Sequence, residues 1–178
     1  MAPPVRYCFI REKTVDSHFF LEHVTRLTLR DQHLFTANEK GPARKVLNIA
    51  NVLPDGDRVL FNVTHELAEY YGLGDYVVAP NLKEFIGYLT EGGFIHPHKD
   101  PDLPERTHVR VNVLVSQMAG CVPLSDGVPI AVAIGDAWLI LASRCLHSTT
   151  PIERSGYRSA ISCGYHIDRK RGDELCRL

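Results

Sequence analysis

With 178 residues, the chain is long enough to bury a core without disulfide staples, and 44% hydrophobic with 23% charged residues is ordinary for a globular protein. A formal charge of −1 excludes the broad basic field on which nucleic-acid binders rely. Five scattered cysteines without a Cys-x-x-Cys pair argue against a disulfide framework or a zinc ribbon; with no signal-like start and no run near the roughly 18 apolar residues of a membrane span, one cytoplasmic domain is expected.

Helical periodicity comes first along the chain. Phe19, Phe20, His23, Val24 and Leu27 recur at three- and four-residue steps, and Val46, Leu47, Ala50 and Leu53 do so again. The stretch from Val63 to Tyr71 reads as a short helix stopped by Gly72. From Tyr76 onward the texture changes to short β-type runs separated by Gly, Pro and Asp, at 83–89, 94–98, 108–116, 130–134, 137–142 and 157–166. That spacing predicts an antiparallel sandwich or barrel. The chain therefore divides into a helical support (1–75), a jelly-roll core (76–167) and a charged, solvated tail (168–178).

One strand is especially legible. Val109, Val111, Val113 and Val115 alternate with Arg110, Asn112 and Leu114, so a solid valine face backs a mixed face. The valine face needs cover, which the N-terminal helices supply, and the mixed face is free to line a cavity.

The chemically informative segment is Gly92-Gly93-Phe94-Ile95-His96-Pro97-His98-Lys99-Asp100-Pro101. Residues two apart on an extended chain share a face, so His98 and Asp100 can offer an imidazole and a carboxylate to one point. A third ligand must come from elsewhere. His147 is placed for it, at the end of an apolar strand that a Gly135-Asp136 turn launches. Two histidines and one carboxylate on one side of an octahedral metal leave three positions open, as non-heme ferrous oxygenases require.

In this ordered set, His98-Lys99-Asp100, then distant His147, then Arg158, residues 83–167 resemble the iron(II)- and 2-oxoglutarate-dependent dioxygenase superfamily. The flanks Tyr88-Leu-Thr-Glu-Gly-Gly, Gly135-Asp136 and Gly156-Tyr-Arg158 agree. The resemblance implies a mainly β fold with N-terminal helices around a double-stranded β-helix (jelly-roll, cupin-like) core. It implies ferrous iron on His98, Asp100 and His147, with 2-oxoglutarate and O2 as co-substrates. Arg158 would then pair with the distal carboxylate of 2-oxoglutarate, a role that suits its planar, permanently charged fork. Tyr88 would add a hydroxyl to that carboxylate, and Asn112 a contact nearer the metal. An aspartate at position 100, where related halogenating enzymes carry a small residue, favours hydroxylation. The implied substrate is a small molecule, such as an amino acid, or an amino-acid side chain in a peptide.

Other readings compete at single positions. His96 shares a face with His98 and Asp100, and a His96, His98, His147 set would suit a cupin-type metalloenzyme that does not use 2-oxoglutarate. A non-enzymatic jelly-roll binding module is the third reading. Arg154 rivals Arg158 but sits in a turn, whereas Arg158 shares its strand face with Ala160 and Ser162. Arg110 has two readings, an anion contact for substrate or a salt bridge with a carboxylate. His108 and His166 read as strand-end or core histidines, and Trp138 as core rather than a substrate platform.

Overall fold

The structure is a computed structural model, and it describes residues 8–11, 18–30, 32–48, 58–80, 84–117, 120–153 and 155–177. Arg154 lies outside them, as do Ala50 and Leu53. The strands are β1 (Cys8–Arg11), β2 (Thr36–Ala37), β3 (Arg44–Asn48), β4 (Tyr76–Val78), β5 (Glu84–Thr90), β6 (Arg106–Ser116), β7 (Pro123–Ser125), β8 (Val128–Pro129), β9 (Ala137–Ile140), β10 (His147–Thr149) and β11 (Tyr157–Asp168). The α-helices are α1 (His18–Arg30), α2 (Arg58–Tyr70) and α3 (Arg169–Leu175). No described helix is long and apolar enough to cross a membrane.

Two sheets face each other. The larger runs β1-β9-β6-β11-β5-β3-β2, with β4 extending the β5 side of β11; the smaller runs β10-β7-β8. All the pairings are antiparallel. This is the mainly β, jelly-roll arrangement that the short strands predicted.

The valine face of β6 is buried as expected. Val109, Val111, Val113 and Val115 pack in one cluster with Val24 of α1, Leu67 and Ala68 of α2 and Ile161 and Ile167 of β11. Each such valine contributes roughly 1.5–3 kcal/mol of burial, an upper bound because unfolded chains are partly collapsed. On the opposite face, Leu114, Ile130, Trp138 and Ile140 form a second cluster. Helix α2 ends as the sequence predicted. Gly72 takes φ +58°, its N–H donates to the Glu69 carbonyl, and the Leu73 N–H donates to the Ala68 carbonyl.

Several expectations are corrected. The runs 94–98 and 130–134 form no strand, with His98 making only an isolated bridge, and β1 and β2 lie within the stretch read as helical support. Residues 44–48 are a strand: Val46 and Leu47 sit side by side in sequence, but pairing with β5 sends Leu47 to the helix-side core while Val46 falls opposite Gly87. Residues 169–175 form α3 instead of a solvated tail. The Asp168 carboxylate caps it by accepting from the Lys170 and Arg171 N–H groups, and Leu175 enters the core. The strand from Gly135 does not run on to His147. Hydrogen bonds from Arg144 and Cys145 back to the Leu141 carbonyl close a turn, and the chain re-emerges as β10 in the other sheet.

Candidate active site

His98 forms an isolated antiparallel bridge with His147 of β10. The His98 N–H donates to the His147 carbonyl (3.2 Å) and the His147 N–H to the His98 carbonyl (3.0 Å). What brings residue 98 there is the Glu91-Gly92 turn, with φ +72° at Gly92, which carries the chain out of β5. Asp100 is tied in place by its own N–H, which donates to the Ala142 carbonyl. Thus three main-chain bonds tie the 98–100 segment, which lies outside both sheets, to β10 and to the turn after β9.

The side chains converge. Ligand-capable atoms of His98, Asp100 and His147 all lie within 4.8 Å of one another. The carboxylate of Asp100 stands 3.7 Å from each Nε2, through Oδ1 to His98 and Oδ2 to His147. Nδ1 of His98 lies 2.7 Å from the His96 carbonyl and Nδ1 of His147 3.5 Å from the Cys145 carbonyl. A carbonyl only accepts, so each Nδ1 carries the proton and each Nε2 offers a lone pair inward. Burial, with His98 alongside, pushes the His147 pKa down to about 3, and burial also lowers that of His98. Both imidazoles are therefore neutral at physiological pH, the form that binds metal.

Asp100 is held as an anion. Burial alone would raise its pKa, but the Arg110 guanidinium and the Lys40 ammonium outweigh burial and keep it well below the usual carboxylate range. Nε of Arg110 donates to Oδ2 at 2.5 Å and Nζ of Lys40 to Oδ1 at 2.5 Å. Each oxygen has two lone-pair sites, so both retain room for a metal bond. Two neutral imidazoles and one fixed carboxylate suit a divalent cation with open positions, and these residues can hold one. His96 stands apart, its ring exposed and stacked edge-on against Phe94 at 4.8 Å.

Beside this triad opens a cavity lined by Arg110, Asn112 and Trp138 on the β6–β9 side and by Phe85, Gly87, Ala160 and Arg158 on the β5–β11 side. Gly87 and Ala160 are register partners, so small residues leave space between Phe85 and Leu89. Arg158 is buried (5% exposed), its Nε has no hydrogen-bond partner, and no described carboxylate pairs with it. Burial lowers its pKa without displacing it from the charged form. A desolvated guanidinium facing a cavity without a counter-ion is a site built for an anion.

The remaining predicted residues fall as follows. Asn112 is buried on the cavity face, opposite Ser162 and Trp138. Tyr88 borders the cavity, but its ring packs against Phe35 (5.6 Å) and Tyr157 (5.4 Å) with the helix-side core. Arg110 makes the salt bridge that one of its two readings expected, through Nε to Asp100, and also lines the cavity. Lys40 and Arg44 went unread in the sequence. The Gly41-Pro42 pair, a strong turn signal between Thr36-Ala37 and Arg44, marks the hairpin that carries them.

No family model and no curated protein matches the chain by sequence. Solved structures do match it in shape. A viral collagen prolyl hydroxylase from Paramecium bursaria Chlorella virus-1, in complex with 2-oxoglutarate, aligns at TM-score 0.68 and 12% identity over 91% of this chain and 97% of that one. A prolyl hydroxylase from Trichoplax adhaerens, bound to a hypoxia-inducible-factor peptide, aligns at 0.68 and 16% over 94% and 86%. HygX from Streptomyces hygroscopicus, with nickel, 2-oxoglutarate and hygromycin B, aligns at 0.68 and 13% over 92% and 84%. The fold is the double-stranded β-helix. At such identities the likeness speaks for the fold, and the chemistry has to be argued from the triad and the cavity beside it.

Proposed function

We propose that this protein is an iron(II)- and 2-oxoglutarate-dependent oxygenase that hydroxylates a small molecule or an amino-acid side chain. One observation carries the reading: a neutral-imidazole and carboxylate triad opens onto the same cavity as a buried arginine with an unpartnered Nε and no described counter-ion. His98, Asp100 and His147 would hold the metal through Nε2, a carboxylate oxygen and Nε2. Arg158 would receive the distal carboxylate of 2-oxoglutarate, with the Gly87–Ala160 gap admitting its chain. Asn112 would add an amide contact from β6. Tyr88 is left out of this set, because its ring turns toward Phe35 and Tyr157.

When bound, iron supplies the oxidation of a substrate C–H bond by O2, coupled to conversion of 2-oxoglutarate to succinate and CO2. The protein's own groups bind and orient. Arg110 and Lys40 keep Asp100 ionised and aimed, and the His96 and Cys145 carbonyls fix the imidazole tautomers. Apolar walls at Trp138, Ile130 and Ile140 keep water from the reacting groups. The solved neighbours include proteins bound to a peptide fragment and to hygromycin B, so either substrate scale fits this fold. Four described cysteines are free, three of them buried, in keeping with a reducing, cytoplasmic setting.

The test is succinate formation from 2-oxoglutarate by protein reconstituted with ferrous iron, with candidate amino acids and peptides supplied. The expected result is iron-dependent succinate, stimulated by substrate and abolished in His147→Ala. Succinate production independent of iron, or none with any substrate, contradicts the reading.

A further inference from the structure

The cavity carries more positive charge than its proposed co-substrate can use. Besides Arg158, three cations line it: Lys40, Arg44 and Arg110. No Asp or Glu lines it, and Asp100 is the one described carboxylate that pairs with any of the four. Bound 2-oxoglutarate would bring two negative charges and ferrous iron two positive ones, so together they leave the excess unchanged. Asp100, bound to a metal, would have still less charge to share with Lys40 and Arg110.

Arg44 is the most exposed to this imbalance. It is buried (7% exposed), and among the described residues its guanidinium hydrogen-bonds only the neutral amide oxygen of Asn38. Arg44 and Arg110 both sit by the ring of Phe85, at 5.8 and 5.5 Å from its centroid, so two guanidiniums converge on one aromatic residue. Lys40 is held at the same place by its backbone. The His96 N–H donates to the Lys40 carbonyl (2.8 Å), and Gly41 lies so close to Phe94 that an added Cβ would sit 1.7 Å from its carbonyl oxygen. Like charges buried together are unfavourable unless a ligand neutralises them.

Resting on the oxygenase reading above, we propose that Arg44 and Arg110 around Phe85, with Lys40 beside them, form an anion subsite, and that the substrate carries a carboxylate or phosphate group seated there. Its reacting carbon then lies toward the triad, and Arg158 remains free for 2-oxoglutarate. The apolar walls on the Trp138 side suit an anion with an aromatic or aliphatic body.

The experiment is calorimetric titration of protein loaded with Mn(II) and 2-oxoglutarate, using phenylacetate, phenyl phosphate and neutral phenylacetamide as probes. At least one acid should bind about tenfold or more tightly than the amide. Whichever acid binds better names the anion. Added salt should weaken the acid and spare the amide. Arg44→Gln should erase the preference, while Arg44→Lys keeps much of it. Equal binding of acids and amide, no binding of either acid, or an acid that displaces 2-oxoglutarate overturns the subsite. Failure to load Mn(II) and 2-oxoglutarate appears before any probe is added and overturns the oxygenase reading instead. The same titration of the bare protein then still decides the subsite.

Discussion

On the helix side of β6, Val109, Val111, Val113 and Val115 are buried among hydrocarbon; on the other side, one residue along each time, Arg110 and Asn112 are buried around a cavity. Both faces are equally hidden from water, yet they are built on opposite rules. The valine face is fully satisfied by the protein itself. The cavity face leaves groups such as Arg158 unsatisfied, at a cost to stability that only a bound ligand offsets. Burial alone does not separate the two faces here, whereas a buried charge without a described counter-ion marks the cavity side.

Substitutions that cut into each face in turn should have opposite effects. Leu139, fully buried on the helix side, should lose about 2–5 kcal/mol of stability on replacement by alanine, read by denaturant unfolding. Metal affinity of the folded fraction should be unchanged. Arg158→Gln should do the reverse. Apparent affinity for 2-oxoglutarate should fall roughly 100-fold, as expected for a lost charge-assisted pair, while the melting temperature holds or rises. A destabilised Arg158→Gln protein with unaltered 2-oxoglutarate affinity would place Arg158 among the structural residues.

A smaller effect concerns His108 and His166, register partners whose rings lie 4.6 Å apart. Both ring nitrogens of His108 are buried without hydrogen-bond partners, and burial, with Arg110 nearby, lowers its pKa from 6.5 to about 4. The unfolded chain thus takes up a proton that the folded chain refuses. Stability should be full above the ordinary histidine pKa and decline as pH falls from there toward 4. Thermal unfolding of the metal-free protein across that window should show a shallower decline in His108→Phe. An unchanged slope would contradict the assignment.

Much of this was legible in the sequence because alternation along β6 and β11 is strict. Arg110, Asn112, Arg158, Ala160 and Ser162 all line the cavity as their positions implied. The Gly72 helix stop was legible for a similar reason, since its chemistry is local. What escaped depended on partners distant in sequence. Residues 44–48 are a strand because β5 pairs with them, and Asp100 meets Lys40 only because the hairpin is packed against Phe94. Tyr88 shows the same limit from the other side: its place near the motif was readable, but the ring's choice of Phe35 and Tyr157 was not.

In the proposed oxygenase, His98, Asp100 and His147 act together on one metal ion. Anaerobic titration of the purified protein with ferrous iron, followed by metal analysis, tests it most directly. One iron per chain is predicted for the unaltered protein and for His96→Ala, with binding lost in Asp100→Ala and in His147→Ala. Iron retained by Asp100→Ala but lost by His96→Ala would contradict the account and point to a three-histidine centre.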